Sequence, residues 1–177
     1  MAAGHRAIHT ARASTGLVCL VTGASRGIGF ASVLELARRG HHVYGGMRDP
    51  GGRNSEPADQ ISEHATAIEL DVTDDTSVER ALGDVVRAEG GVDVVVNNAG
   101  FGAATSVEEA TIEQVRRIFD TNVLGALRLI GVTLPVMRAR GSGIVVQVSS
   151  LNGRLVPPLG GLYASSKFAL EALSEAL

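Results

Sequence analysis

Tyr163 and Lys167 have the residue types and the spacing that proton-transfer chemistry requires. They are four positions apart where apolar residues recur at helical spacing, so both side chains lie on one face of a predicted helix. An ammonium about 4 Å from a phenolate stabilises it by about 4 kcal/mol at an effective dielectric of about 20. The pair can therefore act as a general acid or base, and Ser150 can be brought opposite. The alternative is an ordinary amphipathic helix start with an extended lysine.

A glycine-rich segment near the start of the sequence predicts a phosphate-binding turn. The segment reads Thr22-Gly23-Ala24-Ser25-Arg26-Gly27-Ile28-Gly29, directly after a short apolar run and at the start of a helical pattern. Glycines let the backbone turn sharply and approach a pyrophosphate, whose charge then meets the N–H groups at the start of the helix. The alternative is that the glycines serve only the sterics of a tight turn between a strand and a helix.

Short apolar runs alternate with longer amphipathic segments, which predicts an α/β fold that positions these residues. The predicted strands are 17-22, 42-47, 66-70, 92-97 and 143-148, and the predicted helices are 27-39, 74-89, about 111-139 and about 162 to the end. Several strands are apolar on both faces, as in parallel sheets that helices cover on both sides. The fold class is therefore a doubly wound parallel sheet.

Two interruptions of this pattern carry expectations of their own. Residues 48-64 are rich in Gly, Pro, Asn, Ser and Glu, which predicts a loop with one weak helical turn at most. Pro135 is expected to kink or end the long helix nearby, because proline has no backbone N–H to continue it.

Further polar motifs follow the predicted strands in a fixed order. They are Asp71-Val72, Asn97-Asn98-Ala99-Gly100, Asn122 in the long helix, Ser150, and Tyr163-x-x-x-Lys167. Together with the T-G-x-x-x-G-x-G spacing of the glycine segment, they resemble the motifs of the classical short-chain dehydrogenase/reductase family. The resemblance runs from about residue 17 to the last residue. It implies a Rossmann-like sheet of strand order 3-2-1-4-5, with further strands beyond.

The resemblance also implies roles for individual residues. Tyr163 would exchange a proton with the substrate oxygen, and Ser150 would hydrogen-bond that oxygen. Lys167 would assist Tyr163 and hold the nicotinamide ribose, while Asn122 would fix a water that positions Lys167. The residues expected at the dinucleotide are Gly23, Ser25, Arg26, Gly27, Ile28, Gly29, Arg48, Asp71, Val72, Asn98, Ala99, Gly100, Tyr163 and Lys167.

Taken singly, several of these motif residues have a purely structural alternative. Asp71 could cap the following helix, and residues 97–100 could form an ordinary turn at the end of a strand. Asn122 could be a polar residue that hydrogen-bonds within its own helix.

The residue types at the end of the second strand favour NADP(H) over NAD(H). An NAD enzyme typically has Asp or Glu there for the ribose hydroxyls, whereas this sequence has Met47 followed by Arg48. The guanidinium groups of Arg48 and Arg26 suit a 2′-phosphate, which carries about −1.5 to −2 charges. The alternative is that Arg48 is a solvated loop residue beside Asp49.

Composition limits the partners and the compartment. A net charge of −3 with scattered basic residues argues against nucleic acid. The single cysteine, Cys19, predicts a reduced, cytoplasmic protein without an intrachain disulfide. The five histidines do not have the spacing of metal ligands, so no metal is expected. No apolar stretch approaches the unbroken length of a membrane-spanning helix. Residues 1-16 are expected to be a disordered leader, and residues 17-177 one domain.

These observations predict an oxidoreductase that transfers a hydride between NADP(H) and a carbonyl or secondary alcohol. Leu155 and Val156, in the loop between Leu151 and Leu162, favour an apolar small-molecule substrate, and family analogy implies a homodimer or homotetramer. An apolar fifth strand at the sheet edge and a last helix without a closing Gly or Asn predict a C-terminally incomplete domain with little activity. The alternative function is a catalytically inactive dinucleotide-binding module.

Overall fold

A parallel β-sheet organises the chain. The structure, a computed structural model, describes residues 16–177, so the leader expected over residues 1-16 lies outside the described residues except for its last position. The strands in this part of the chain are β1 (Val18–Thr22), β2 (His42–Met47), β3 (Thr66–Glu69), β4 (Val94–Asn97) and β5 (Ile144–Gln147). They pair in the order β3-β2-β1-β4-β5, and each pair is parallel. The predicted fold class and strand order are confirmed.

Helices connect the strands and cover both faces of the sheet. They are α1 (Gly27–Arg38), α2 (Ser55–Ser62), α3 (Asp75–Glu89), α4 (Ile112–Phe119), α5 (Gly125–Arg140) and α6 (Gly161–Glu175). On one face Leu20 and Val95 pack with Val85 of α3 and Leu129 of α5. On the other face Val21 and its neighbours pack with Val33 of α1 and Ile61 of α2. All five residues of β1 are buried, as a central strand under two helical layers requires.

Helix α2 corrects the expectation of a loop over residues 48-64. Ser55–Ser62 forms a helix of eight residues, although its composition is polar. Ala58 and Ile61 lie on one face of it, and Ile61 is fully buried in the core. Packing of this narrow apolar face stabilises a helix that local propensity disfavours.

The long helix also differs from its prediction. A π-helical segment, Asp120–Leu124, joins α4 to α5, and α5 continues through Pro135 to Arg140. Pro135 does not end the helix, because Gly131, four residues earlier, is exposed and its carbonyl can hydrogen-bond water. The left-handed Gly141, with a φ of 71°, ends the helix instead.

Ile112–Arg140 is one unbroken helix of 29 residues with a mean hydropathy of 1.2 in its most apolar window. By length and composition alone it could cross a membrane, which corrects the expectation that no stretch is long enough. In the fold its buried residues Leu129, Ile130 and Met137 face the protein interior. The helix is therefore a core element of this domain.

Candidate functional site

The carboxyl ends of β1 and β4 are joined by side-chain hydrogen bonds. Thr22 Oγ1 accepts from the backbone N–H groups of Asn98 and Ala99, both at 3.0 Å. Asn98 Nδ2 donates to the carbonyl oxygens of Thr22 at 2.8 Å and Gly23 at 3.3 Å. The glycine turn and the turn after β4 thus form one unit, at the point where the strand order reverses. Dinucleotides bind at such a point in doubly wound sheets.

Two glycines of the first turn are required for different reasons. Gly27 has a φ of 58°, and a Cβ there would meet nothing within 4 Å, so its requirement is conformational. Gly29 is buried, and a Cβ there would overlap Asn98 Nδ2 and the Gly23 carbonyl. Any side chain at Gly29 would therefore push apart the two turns that the hydrogen bonds of Asn98 hold together.

The N-terminus of α1 is open to solvent beside this turn. Arg26, at the N-cap, is extended and makes no side-chain capping bond, and the first turn of α1 holds no acidic residue. Arg26, Gly27 and Ile28 are exposed, whereas Ser25 is half-buried. Free N–H groups and the positive end of the helix dipole make this position suitable for a pyrophosphate.

The loop after β2 turns an arginine toward solvent and an aspartate toward its own backbone. Met47 is 2% exposed and packs in the core, whereas the next two residues, Arg48 and Asp49, are exposed. The Asp49 carboxylate accepts from the N–H of Arg53 at 2.9 Å. Within residues 16–177 no ion pair involves Arg48 or Arg26. Both guanidinium groups are therefore available to an anion.

After β3, Asp71 stabilises a turn. Its Oδ1 accepts from the N–H of Thr73 at 2.9 Å and from Thr73 Oγ1 at 2.7 Å. Asp74 caps α3 by accepting from the N–H of Thr76, so capping is not the role of Asp71. Val72 is 6% exposed and belongs to the core, which leaves its backbone to face a ligand.

Tyr163 and Lys167 lie together on α6. The Lys167 side chain is almost fully buried, and its Nζ lies 5.7 Å from the centroid of the Tyr163 ring. Nζ donates to the carbonyl oxygen of Val148 at 2.8 Å, which fixes the ammonium behind the end of β5. Burial lowers the pKa of Lys167, and the charge of Glu171 partly opposes this shift.

Ser150 follows β5 and accepts from the N–H of Asn152 at 3.1 Å, which caps a short 3-10 turn, Leu151–Gly153. Because this bond uses only a lone pair of Oγ, the hydroxyl proton of Ser150 remains able to donate.

Asn122 is buried in the π-helical segment and bonds outside its own helix. Its Oδ1 accepts from the N–H of Phe101 at 3.0 Å, and its Nδ2 donates to the Phe101 carbonyl at 2.9 Å and to Ser166 Oγ at 3.0 Å. Ser166 is the residue before Lys167. Asn122 therefore ties the loop after β4 to α6, and its expected water-binding role stays a prediction. π-Helical segments are frequent at functional sites.

Close backbone approaches join the cofactor turn to the Tyr-Lys pair. A Cβ at Gly100 would lie 3.7 Å from Lys167 Nζ, and a Cβ at Gly102 would lie 3.4 Å from the Tyr163 ring. A cleft of about 330 Å³ adjoins Tyr163. Its lining is mostly small and apolar: Gly102, Ala103, Ala104, Asn152, Pro157, Pro158, Leu159, Gly160 and Tyr163. Leu155 and Val156, expected in the lining, are not among these residues.

Thr22, Phe101 and Ser166 hold the site together without a predicted role of their own, although Thr22 begins the glycine segment. Thr22 reads as the last residue of a strand, and Phe101 contributes only backbone atoms, so neither gives a chemical signal. Ser166 had a usable signal, because it lies inside the Tyr-x-x-x-Lys motif. Among the residues that the structure describes, no group of three His, Cys, Asp or Glu side chains could hold a metal.

The strand order and the arrangement at its carboxyl edge are those of the Rossmann-like oxidoreductases. The chain belongs to the short chain dehydrogenase family, whose family model matches residues 17–177. It is 36% identical over 160 residues to 3-ketodihydrosphingosine reductase of Bacteroides thetaiotaomicron. The matched region covers 90% of this chain and 56% of that protein. The chain thus spans about half the length of this curated relative.

Solved structures of the same family superpose closely. An alcohol dehydrogenase from Thermococcus sibiricus, complexed with 5-hydroxy-NADP, matches with a TM-score of 0.82 and 34% identity, over 90% of this chain and 69% of that one. A short chain dehydrogenase/reductase from Burkholderia phymatum, in complex with NAD, matches with a TM-score of 0.85 and 28% identity, over 91% and 58%. Both nicotinamide cofactors therefore occur among the relatives. The expected homo-oligomer and cytoplasmic location stay predictions.

Proposed function

We propose that this chain carries the dinucleotide-binding and proton-transfer groups of an oxidoreductase that transfers a hydride between NADP(H) and a carbonyl or secondary alcohol. The observation that carries the proposal is the buried Lys167 ammonium beside the Tyr163 ring, 5.7 Å from its centroid. This pair adjoins Gly100, in the turn that Asn98 ties to the glycine segment. A series of contacts thus joins the start of α1, which can bind an anion, to a tyrosine that can exchange a proton.

The residues present fit a dinucleotide. The space next to the exposed Gly27 is open, since a Cβ there would meet nothing within 4 Å, and the uncapped start of α1 offers N–H groups to a pyrophosphate. The turn of Asn98, Ala99 and Gly100 would hold the middle of the cofactor, and Lys167 its nicotinamide ribose. When bound, the nicotinamide supplies or accepts the hydride.

The chain's own groups act on the substrate oxygen. The Tyr163 hydroxyl would exchange a proton with this oxygen, and the Ser150 hydroxyl would donate a hydrogen bond to it. Lys167, held by the Val148 carbonyl, presents a positive charge that favours the phenolate. Asn122 holds Phe101 and Ser166, and this keeps α6 in place against the cofactor turn.

The cleft at Tyr163 favours an apolar substrate. Pro157, Pro158 and Leu159 lie on one side of it, and Ala103 and Ala104 line it as well. The backbone N–H of Thr105 donates to the Leu159 carbonyl at 3.0 Å, which joins the two loops that form the cleft. A lining with few polar groups gives little compensation for desolvating a polar substrate.

The preference for NADP(H) rests on Arg48 and Arg26. The last residue of β2 is the buried Met47 and not an acidic residue, and the exposed Asp49 accepts a hydrogen bond from the N–H of Arg53 in its own loop. Two accessible guanidinium groups suit a 2′-phosphate, which NAD(H) lacks. The turn of Arg26 adjoins the end of β2, because the N–H of Ala24 donates to the Gly46 carbonyl at 3.0 Å.

The test is to titrate the full gene product with NADPH and NADH and to assay it on a panel of apolar ketones. We expect NADPH to bind about tenfold more tightly or better, since a lost charge-assisted hydrogen bond typically costs about 1.5–3 kcal/mol. Arg48→Asp should remove or reverse this preference. Arg138→Asp, an equal charge change on an exposed residue near the end of α5, should leave it intact.

Two outcomes would contradict the proposal in different ways. Equal affinities of the unmodified protein for NADPH and NADH would overturn the cofactor preference. Dinucleotide binding without turnover of any ketone or alcohol would favour the alternative function, a binding module without catalysis.

A further inference from the structure

Arg128 of α5 joins three separate parts of the chain. Its Nε donates to Asp75 Oδ1 at 2.6 Å, and its Nη1 donates to Asp120 Oδ1 at 2.8 Å. Nη1 also lies 3.3 Å from the carbonyl oxygen of Val72. The Arg128 side chain is 24% exposed, whereas its partner Asp75 is 77% exposed. The guanidinium therefore links the loop after β3, the start of α3 and the start of the π-helical segment.

The loop after β3 lies at the adenosine end of the candidate cofactor site. In doubly wound sheets the pyrophosphate binds at the start of the first helix, and the adenosine ribose at the end of the second strand. Strand β3 is the neighbour of β2 on the outer side, and Met47 of β2 pairs with Glu69 of β3. The Val72 carbonyl that Arg128 contacts thus lies on the adenosine side.

The π-helical segment leads to the proton-transfer group. Asp120 begins this segment, and Asn122 lies two residues further along it. Asn122 hydrogen-bonds Ser166 Oγ, and Ser166 precedes Lys167 on α6. Displacement of Asp120 would therefore reach Lys167 through a single buried side chain.

A second contact makes this connection stiff. Gly125 follows the π-helical segment, and a Cβ there would lie 2.7 Å from Val72 Cγ2. The backbone of the long helix therefore lies directly against Val72, with no space between them. A movement of the loop after β3 must move the π-helical segment, because closely packed interiors transmit strain.

We propose that Arg128 is a positioning residue that couples binding of the cofactor's adenosine half to the placement of Asn122 and Lys167. The inference rests on the proposed function. Binding energy from a remote part of a ligand can be used to orient reacting groups. Arginine suits the role because its planar fork reaches two carboxylates and a carbonyl at once, which a lysine ammonium cannot do in the same geometry.

The experiment compares NADPH with reduced nicotinamide mononucleotide, which lacks the adenosine half. Steady-state kcat and KM are measured for the full gene product, for Arg128→Gln and for Arg128→Lys. The matched control is Arg140→Gln on the same helix, because Arg140 is 30% exposed and pairs with Asp93 at 2.9 Å. Thermal melts show whether each variant is folded. If Arg128→Gln does not fold, the comparison of the two cofactors is made with Arg128→Lys.

We expect Arg128→Gln to lower kcat with NADPH about tenfold and kcat with the mononucleotide less than twofold. Arg128→Lys should recover part of the kcat with NADPH, and Arg140→Gln should lower the melting temperature while preserving the ratio of the two kcat values. Equal losses with both cofactors, or kinetics like those of Arg140→Gln, would overturn the coupling. An unmodified protein that is inactive with both cofactors would overturn the proposed function, and the inference with it.

Discussion

The two sides of the candidate site differ in how completely their polar groups are paired. At the junction of β1 and β4, the side chains of Thr22 and Asn98 make four hydrogen bonds to the backbone of residues 22, 23, 98 and 99. At β5, both side-chain amide atoms of Gln147 and the Oγ of Ser149 are buried without a hydrogen-bond partner among the described residues. Ile144 is 54% exposed on the same strand. The side-chain hydrogen bonds of Thr22 and Asn98 thus hold the two turns together, although both side-chain amide atoms of Asn97, at the end of β4, are also buried without a partner in the described part of the chain.

This difference indicates which property is the more robust. A buried polar group without a hydrogen-bond partner lowers the stability of the folded chain by about 1–3 kcal/mol. Next to β5 there is also a cavity of about 420 Å³, which extends to Leu134 and Glu171. The glycine turn is held by four side-chain hydrogen bonds, whereas Ser150 follows β5, which within residues 16–177 pairs with β4 alone. Cofactor binding should therefore survive perturbations that abolish turnover.

The largest expected effect comes from removing the hydroxyl oxygen of Tyr163, which should affect turnover and not cofactor binding. Tyr163→Phe should lower kcat by about 10³-fold, because it removes the acid or base, and should change NADPH affinity less than twofold. The matched control is Tyr44→Phe, the other tyrosine of the sequence, whose hydroxyl bonds Glu89 on the amino side of the sheet. Stopped-flow turnover and fluorescence titration measure both quantities. Retention of activity within a few-fold in Tyr163→Phe would refute the assignment.

A methyl group at Gly29 should disrupt the hydrogen-bonded junction of the two turns. Gly29→Ala would overlap Asn98 Nδ2 and the Gly23 carbonyl, so we expect NADPH affinity to fall about 30-fold or more, on the order of 2 kcal/mol. Gly83→Ala is the control, because a Cβ in that part of α3 would meet nothing within 4 Å. It should raise the unfolding free energy by about 0.5–1 kcal/mol and leave affinity unchanged. Equal affinities of the two variants would show that the turn is not rigid.

The smallest effect concerns the charge of Lys167, the only lysine in the sequence. Burial lowers its pKa, so the folded chain binds fewer protons than the unfolded chain between this lowered pKa and about 10.4. The unfolding free energy of the unmodified protein should therefore rise with pH through this window, relative to that of Lys167→Met. Urea denaturation of both proteins from pH 7 to 10.5 measures the difference. A constant or falling difference would contradict the burial of a charged ammonium.

The strands of the sheet can be predicted from the sequence more completely than the contacts of the candidate site. Apolar runs such as Val92 to Val96 predict the strands because they are local signals, whereas the strand order is implied by the resemblance to the family. Helix α2 depends on the packing of Ile61 in the same core cluster as Val43 and Met47 of β2. This packing exists only in the tertiary structure, so the local sequence does not predict it. Asn122 bonds residues that are 21 and 44 positions away in sequence, and no spacing rule predicts such partners.

Cys19 lies in β1, the middle strand of five, and is 1% exposed. Because it is the single cysteine of the sequence, a thiol-specific reagent has one target, and it can reach that sulfur only when the central strand separates from its neighbours. The labelling rate of Cys19 thus measures how often the sheet opens at its central strand. A ligand bound at the turn that continues β1 would lower the logarithm of the labelling rate in proportion to the free energy with which it stabilises the folded chain.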